Sequence, residues 1–116
     1  MSRRLPRSDQ EYLGDILDAC DKLMALCADM DFDAFAESWI AHHAAFSLLE
    51  IVGEASARLS AGLRDGHPEV PWSAMRGMRN VLIHGYATVD LVSVWKTLEH
   101  DVPNLHRQVT ALRRED

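Results

Sequence analysis

The sequence predicts an all-α protein, an up-and-down helical bundle of four to five helices. Three observations carry that prediction. Apolar residues recur three and four apart over long stretches. Helix-starting Ser and Asp, and helix-breaking Gly and Pro, fall between those stretches. No segment alternates apolar and polar residues as a half-buried strand does. At 116 residues the chain reads as a single domain, 1–116, with loose tails at 1–7 and 113–116.

In chain order, Ser8-x-x-Glu11 reads as a capping box that opens a first helix. Tyr12, Leu13, Ile16, Leu17, Cys20, Leu23, Met24 and Cys27 form its apolar stripe. Asp31 or Asp33 caps a short turn carrying Phe32 and Phe35. A long helix is expected over 37–63, striped by Leu48, Val52, Ala55, Leu59 and Leu63. Gly53 within it costs up to about 1 kcal/mol relative to Ala, so a close helix approach is expected there. Asp65-Gly66-His67-Pro68 ends that helix, and Pro71 suits the first turn of the next, which runs to Ile83 or His84. Gly85 supplies a left-handed stop. Asp90 caps a last helix bearing Leu91, Val94, Trp95 and Leu98. Pro103 should kink or interrupt it before Leu105, Val109 and Leu112 resume the stripe.

Apolar residues at 47% and charged residues at 26% place the chain among globular rather than disordered proteins. A net charge of −6 argues against a general nucleic-acid coat protein and leaves room for a locally basic site. Cys20 and Cys27, two turns apart on one helix, are too distant to bridge and read as reduced core residues of a cytoplasmic protein. The basic start has no apolar segment behind it, so no signal peptide is expected, and no run approaches a membrane span. Trp39, Trp72 and Trp95 lie on apolar stripes and read as core or interface positions.

The helix from Pro71 to His84 carries the chemistry. At about 100° per residue, Met75, Met78 and Leu82 share one side, flanked by Ala74 and Val81. Arg76, Arg79, Asn80, Ile83 and His84 occupy a separate sector roughly 140° wide, edged by Arg79 and His84. A permanent cation, an amide and an imidazole therefore converge on one surface. Ile83 sits among them, where a solvated helix would carry a charge, so something is expected to cover it.

The segment Arg79-Asn80-Val81-Leu82-Ile83-His84-Gly85-Tyr86 resembles the Arg-x4-His-x-Tyr signature of HepT-like toxins, a branch of the HEPN ribonucleases. The resemblance extends to Leu49-Glu50-Ile51-Val52-Gly53-Glu54-Ala55, to His67-Pro68-Glu69-Val70-Pro71-Trp72, and on through Val89-Asp90-Leu91, Val94-Trp95 and Asp101-Val102-Pro103. It departs at Gly85, where the family commonly carries an acid, and at Ala87-Thr88, where an aromatic-Gly pair is usual. The resemblance implies a homodimer with the motif at the interface and a metal-independent endoribonuclease, the toxin of a toxin–antitoxin pair. Its implied partners are RNA and a minimal nucleotidyltransferase antitoxin that adenylylates Tyr86.

The residues support that chemistry on their own terms. RNA is cleaved when its 2′-hydroxyl attacks the adjacent phosphate, which requires a proton carrier and stabilisation of phosphoryl charge. His84 titrates near working pH and suits the first task; Arg79 presents a planar fork for the second. Asn80 can orient either group, Glu54 can hold the Arg79 rotamer, and Arg76, with Arg58 and Arg64, can extend a phosphate track. A bland surface arginine and a helix-terminal histidine would look the same in isolation, and an idle module binding a nucleotidyltransferase or a nucleotide is the rival reading. The six histidines include no His-x3-His pair and no Glu-x-x-His, so no metal and no cofactor are expected.

Overall fold

The computed structural model describes residues 7–84 and 89–114, without the side chains at 81, 83, 84 and 114. The chain is all-α: α1 (Asp9–Cys27), α2 (Phe32–Glu37), α3 (Trp39–Arg58), α4 (Ala61–Gly66), α5 (Trp72–His84), α6 (Leu91–Lys96) and α7 (Val102–Arg114). No strand occurs among the described residues.

Short polar side chains start these helices by accepting from backbone N–H groups that have no partner within the helix. The Ser8 hydroxyl accepts from Glu11 N at 3.2 Å, Asp31 from Ala34 N at 2.8 Å and Ser38 from Ala41 N at 3.1 Å. Asp90 takes Val92 N at 3.0 Å. Ser8, Asp31 and Asp90 are the residues the sequence nominated as caps.

The helix expected over 37–63 is divided. Ser38 is extended at φ −103°, ψ 98° and starts α3; Leu59 is extended at φ −63°, ψ 148° and ends it. Ser60 then caps α4 through Leu63 N, while its own N–H and hydroxyl donate to the Asp9 carboxylate at 2.8 and 2.6 Å. Intrinsic propensity would carry the helix on; a capping serine tethered to the start of α1 stops it.

Pro103 acts as expected, through a π-type turn. Thr97–Asp101 join α6 to α7, and Val102 N–H bonds back five residues to Thr97 O. Proline has no N–H for the Glu99 carbonyl, and the wider turn absorbs the mismatch.

The core sits where α1 packs on α3 and α7, and α3 on α5. Leu13, Ile16 and Leu23 of α1, Phe35 of α2 and Val109 of α7 are essentially sealed from solvent. Neighbouring helices run antiparallel. Ser60, just past α3, meets Asp9 at the start of α1. His106, early in α7, meets Asp21, late in α1, at 2.8 Å. Along α3 and α5, Ser56 faces Met75 and Glu54 faces Arg79.

Trp72 is buried, with its indole N–H donating to His67 O at 3.0 Å. Trp95 is buried against Phe35 and Phe32. Trp39 is not a core residue: it is 68% exposed at the first turn of α3, edge-on to His43. Trp39 stands two residues, about 200° around the helix, from buried Ala41, so it lies on the side of α3 turned away from the core. Cys20 and Cys27 are free thiols.

Candidate active site

The faces of α5 divide as the sequence suggests. Met75 and Leu82 are buried and Met78 packs half-buried beside them. Arg76 and Asn80 are exposed, and Arg79 is partly exposed. An apolar stripe pins the helix to α3 and leaves the polar sector outward.

Gly53 sets how closely the two helices approach. A Cβ built there would lie 2.5 Å from the Arg79 Cβ and 2.9 Å from the Met75 carbonyl oxygen. Only a residue without a side chain lets the α5 backbone settle on α3 at this point. The expected close approach is therefore present, and its neighbour is the motif arginine.

The next residue, Glu54, completes the arrangement. Its Oε2 pairs with Arg79 Nε at 2.6 Å, and its Oε1 accepts from Arg58 Nε at 2.9 Å and lies 2.8 Å from Nη2. One carboxylate thus joins two guanidinium groups. The Glu54 hydrogen bond, reinforced by its charge and by Tyr12, holds Arg58 above its usual value. The four side chains link α1, α3 and α5. They line a groove of about 470 Å³ together with Arg7 and Asp15. Arg7 is itself paired, to Glu11 at 3.2 Å and Asp15 at 2.7 Å, and lies over the Tyr12 ring.

Arg79 and Glu54 thus meet, and Asn80 follows on the exposed side. Arg76 faces elsewhere, into a second groove shared with Arg64. Of the three arginines considered for a phosphate track, Arg58 joins Arg79, while Arg64 and Arg76 form a separate pair. His84 ends α5 by its backbone. Five residues beyond Arg79, it stands roughly 7.5 Å further along the axis and 140° around it. The His84 and Ile83 side chains, and all of Gly85, Tyr86, Ala87 and Thr88, lie outside the described residues.

Tyr12, Arg7 and Asp15 are among the groove residues that sequence reasoning missed. Tyr12 was absorbed into the α1 stripe, and Arg7 stood at the edge of a supposed tail. The i,i+4 spacing of Glu54 and Arg58 was the available signal for their pair. Among the described residues, no three His, Cys, Asp or Glu side chains cluster as a metal would require. No described helix is long and apolar enough to cross a membrane.

Comparison with known proteins bears on the family of the chain as a whole. The family model described as Ribonuclease HepT-like matches residues 16–112. A candidate RNase of Methanocaldococcus jannaschii is 35% identical over 103 residues, covering 89% of this chain and 94% of its own length. A protein named probable ribonuclease HepT, from Thermococcus cleftensis, is 36% identical over 110 residues, covering 95% of this chain and all of its own. A candidate RNase of Caldanaerobacter subterraneus is 32% identical over 110 residues, 95% of this chain and 98% of its own. No solved structure matches the chain. With its all-α bundle and a family match that spans most of its length, the chain belongs to the HepT-like ribonuclease family.

Proposed function

We propose that this protein is a metal-independent endoribonuclease, the toxin half of a toxin–antitoxin pair, acting as a homodimer with the motif helix at the interface. The observation that carries the reading is the Arg79 guanidinium, fixed by Glu54 at the edge of an open groove on the helix that ends in His84. Family membership and relatives named as ribonucleases support it.

In the proposed reaction the 2′-hydroxyl of RNA attacks the adjacent phosphorus. The P–O5′ bond breaks, leaving a 2′,3′-cyclic phosphate on one product and a 5′-hydroxyl on the other. His84 moves the proton, either from the attacking hydroxyl or to the leaving oxygen. Arg79 offsets the charge on the pentacoordinate phosphate. Its terminal nitrogens form the fork that grips two phosphoryl oxygens, while Glu54 holds Nε. Asn80 orients the phosphate or the imidazole. A twofold axis at this helix brings two copies of the pair across one groove and covers Ile83.

The antitoxin in this reading is a minimal nucleotidyltransferase. Transfer of AMP to Tyr86, two residues past His84, adds bulk and negative charge where an RNA phosphate must lie. Mass spectrometry of the protein co-expressed with that partner should find AMP on Tyr86, and its absence would remove this part of the proposal.

Arg79→Ala and His84→Ala test the core of the reading. Each should abolish RNA cleavage and growth arrest while the protein remains folded and dimeric. The alternative is a module that binds a nucleotidyltransferase or a nucleotide without catalysis, a reading favoured by the net charge of −6. Such a module would show no cleavage even as wild type.

A further inference from the structure

Arg7, Arg58 and Arg79 each pair with a carboxylate. Arg64 and Arg76 have no carboxylate partner among the described residues, and both line one groove of about 670 Å³ at the start of α5. Asp65 also lines it, so two guanidinium groups stand against one carboxylate. Arg64 Nε is buried with no hydrogen-bond acceptor. An unsatisfied buried donor is destabilising, and an anionic oxygen reached by a small swing of the side chain would relieve it. Ser73 and Ala74, in the first turn of α5, line the same groove at the positive end of the helix dipole.

The position of this groove relative to the motif suggests its ligand. Arg76 and Asn80 are both exposed and stand one turn apart on α5, about 40° around from each other, and the helix backbone reaches His84 one turn later. From His84 back to Arg76 is roughly 12 Å along the axis, a span that an extended RNA strand covers in a few nucleotides. An RNA gripped at Arg79 therefore reaches this groove if it follows the exposed side of the helix.

We propose that the groove between Arg64 and Arg76 is a phosphodiester-binding site, holding the RNA backbone a few nucleotides from the cleaved bond. The proposal rests on the ribonuclease reading for its substrate and adds a second point of contact. It also reconciles RNA binding with an acidic chain, because the attraction is confined to one groove between α4 and α5.

The test uses a fluorescent, uncleavable 2′-O-methyl RNA of twelve nucleotides and anisotropy measured across a range of salt. The wild type is compared with the double variant Arg64→Gln/Arg76→Gln, in which amides replace the cations, after circular dichroism has shown that both fold. Loss of two phosphate contacts should reduce the slope of log K against log salt by about 1.4, at about 0.7 per contact for a single strand. The dissociation constant should rise at least tenfold near 0.1 M salt. On cleavable RNA the lost kcat/KM should reside in KM, and the wild-type preference for a long substrate over a dinucleotide should disappear. A variant with wild-type slope and affinity would overturn the proposal, as would a wild type that binds no RNA. A wild type that binds through these arginines but cuts nothing would instead sink the ribonuclease reading and leave the groove standing.

Discussion

Replacing Gly53 with alanine probes the contact that seats the motif helix. The new Cβ would stand 2.5 Å from the Arg79 Cβ and 2.9 Å from the Met75 carbonyl oxygen. Non-bonded carbons settle at about 3.5–4.0 Å, so α5 must retreat from α3 by about 1 Å. Both obstructions belong to atoms at or next to the α5 backbone, which no side-chain rotation can clear. Overpacking of this kind costs about 1–3 kcal/mol, and the better helix propensity of alanine returns about 1 kcal/mol. The net expectation is a loss of up to about 2 kcal/mol. Gly77 provides the control on the facing helix, since nothing lies within 4 Å of a Cβ built there. Gly77→Ala should therefore stabilise by about 0.5–1 kcal/mol. Urea denaturation of both variants, followed by circular dichroism, reads the two signs directly. On the ribonuclease reading Gly53→Ala should also lower turnover by about 100-fold, the scale expected when a reacting group is displaced by 1 Å. A Gly53→Ala protein as stable as Gly77→Ala, or with wild-type turnover, would refute the argument.

Other outcomes follow from contacts elsewhere. Asp9→Ala removes both hydrogen bonds to Ser60 and should cost about 1–2 kcal/mol; an unchanged urea midpoint would show that the tether contributes nothing. Burial pushes the Cys20 thiol up to about 12, and desolvation followed by Glu99 raises Cys27, which is less deeply placed. Iodoacetamide at pH 8 should therefore label Cys27 slowly and Cys20 only after denaturation, as peptide mass spectrometry would report. Because the unfolded Cys20 thiol ionises from about pH 8.5, its contribution to stability is complete below that pH and is lost as pH rises towards 12. Asp90 has the opposite sign. The Ser93 hydroxyl, then the Val92 N–H, holds its carboxyl below the usual range. The stabilisation is present above about pH 3.9 and fades as pH falls through the folded value, and Asp90→Asn should flatten that acid limb of the stability curve.

The outline of the fold was legible because periodicity and capping agreed at most boundaries. Ser8, Asp31 and Asp90 cap where local sequence nominates them, and the π-type turn answers the missing N–H of Pro103. The break at Ser60 was hidden, because Asp9, which holds it, lies 51 residues away. For Trp39, read as core or interface, the core half fails because the residue lies about 200° around α3 from buried Ala41. At the site, helical angles alone separated the faces of α5, and Gly53 revealed itself as an otherwise costly residue in mid-helix. The path of Arg76 away from Arg79, and the arrival of Arg7 and Tyr12 from α1, depend on how three helices pack. Spacing within one helix carries no record of that.

The Glu54 carboxylate has a consequence of its own. By dividing its two oxygens between Arg58 and Arg79 it cancels one positive charge of the pair and fixes the position of what remains. Attraction and alignment are thereby set against each other in a single side chain. An amide at this position would present a stronger lure to polyanions and a less steady hand on them, so tighter capture and slower processing would arrive together.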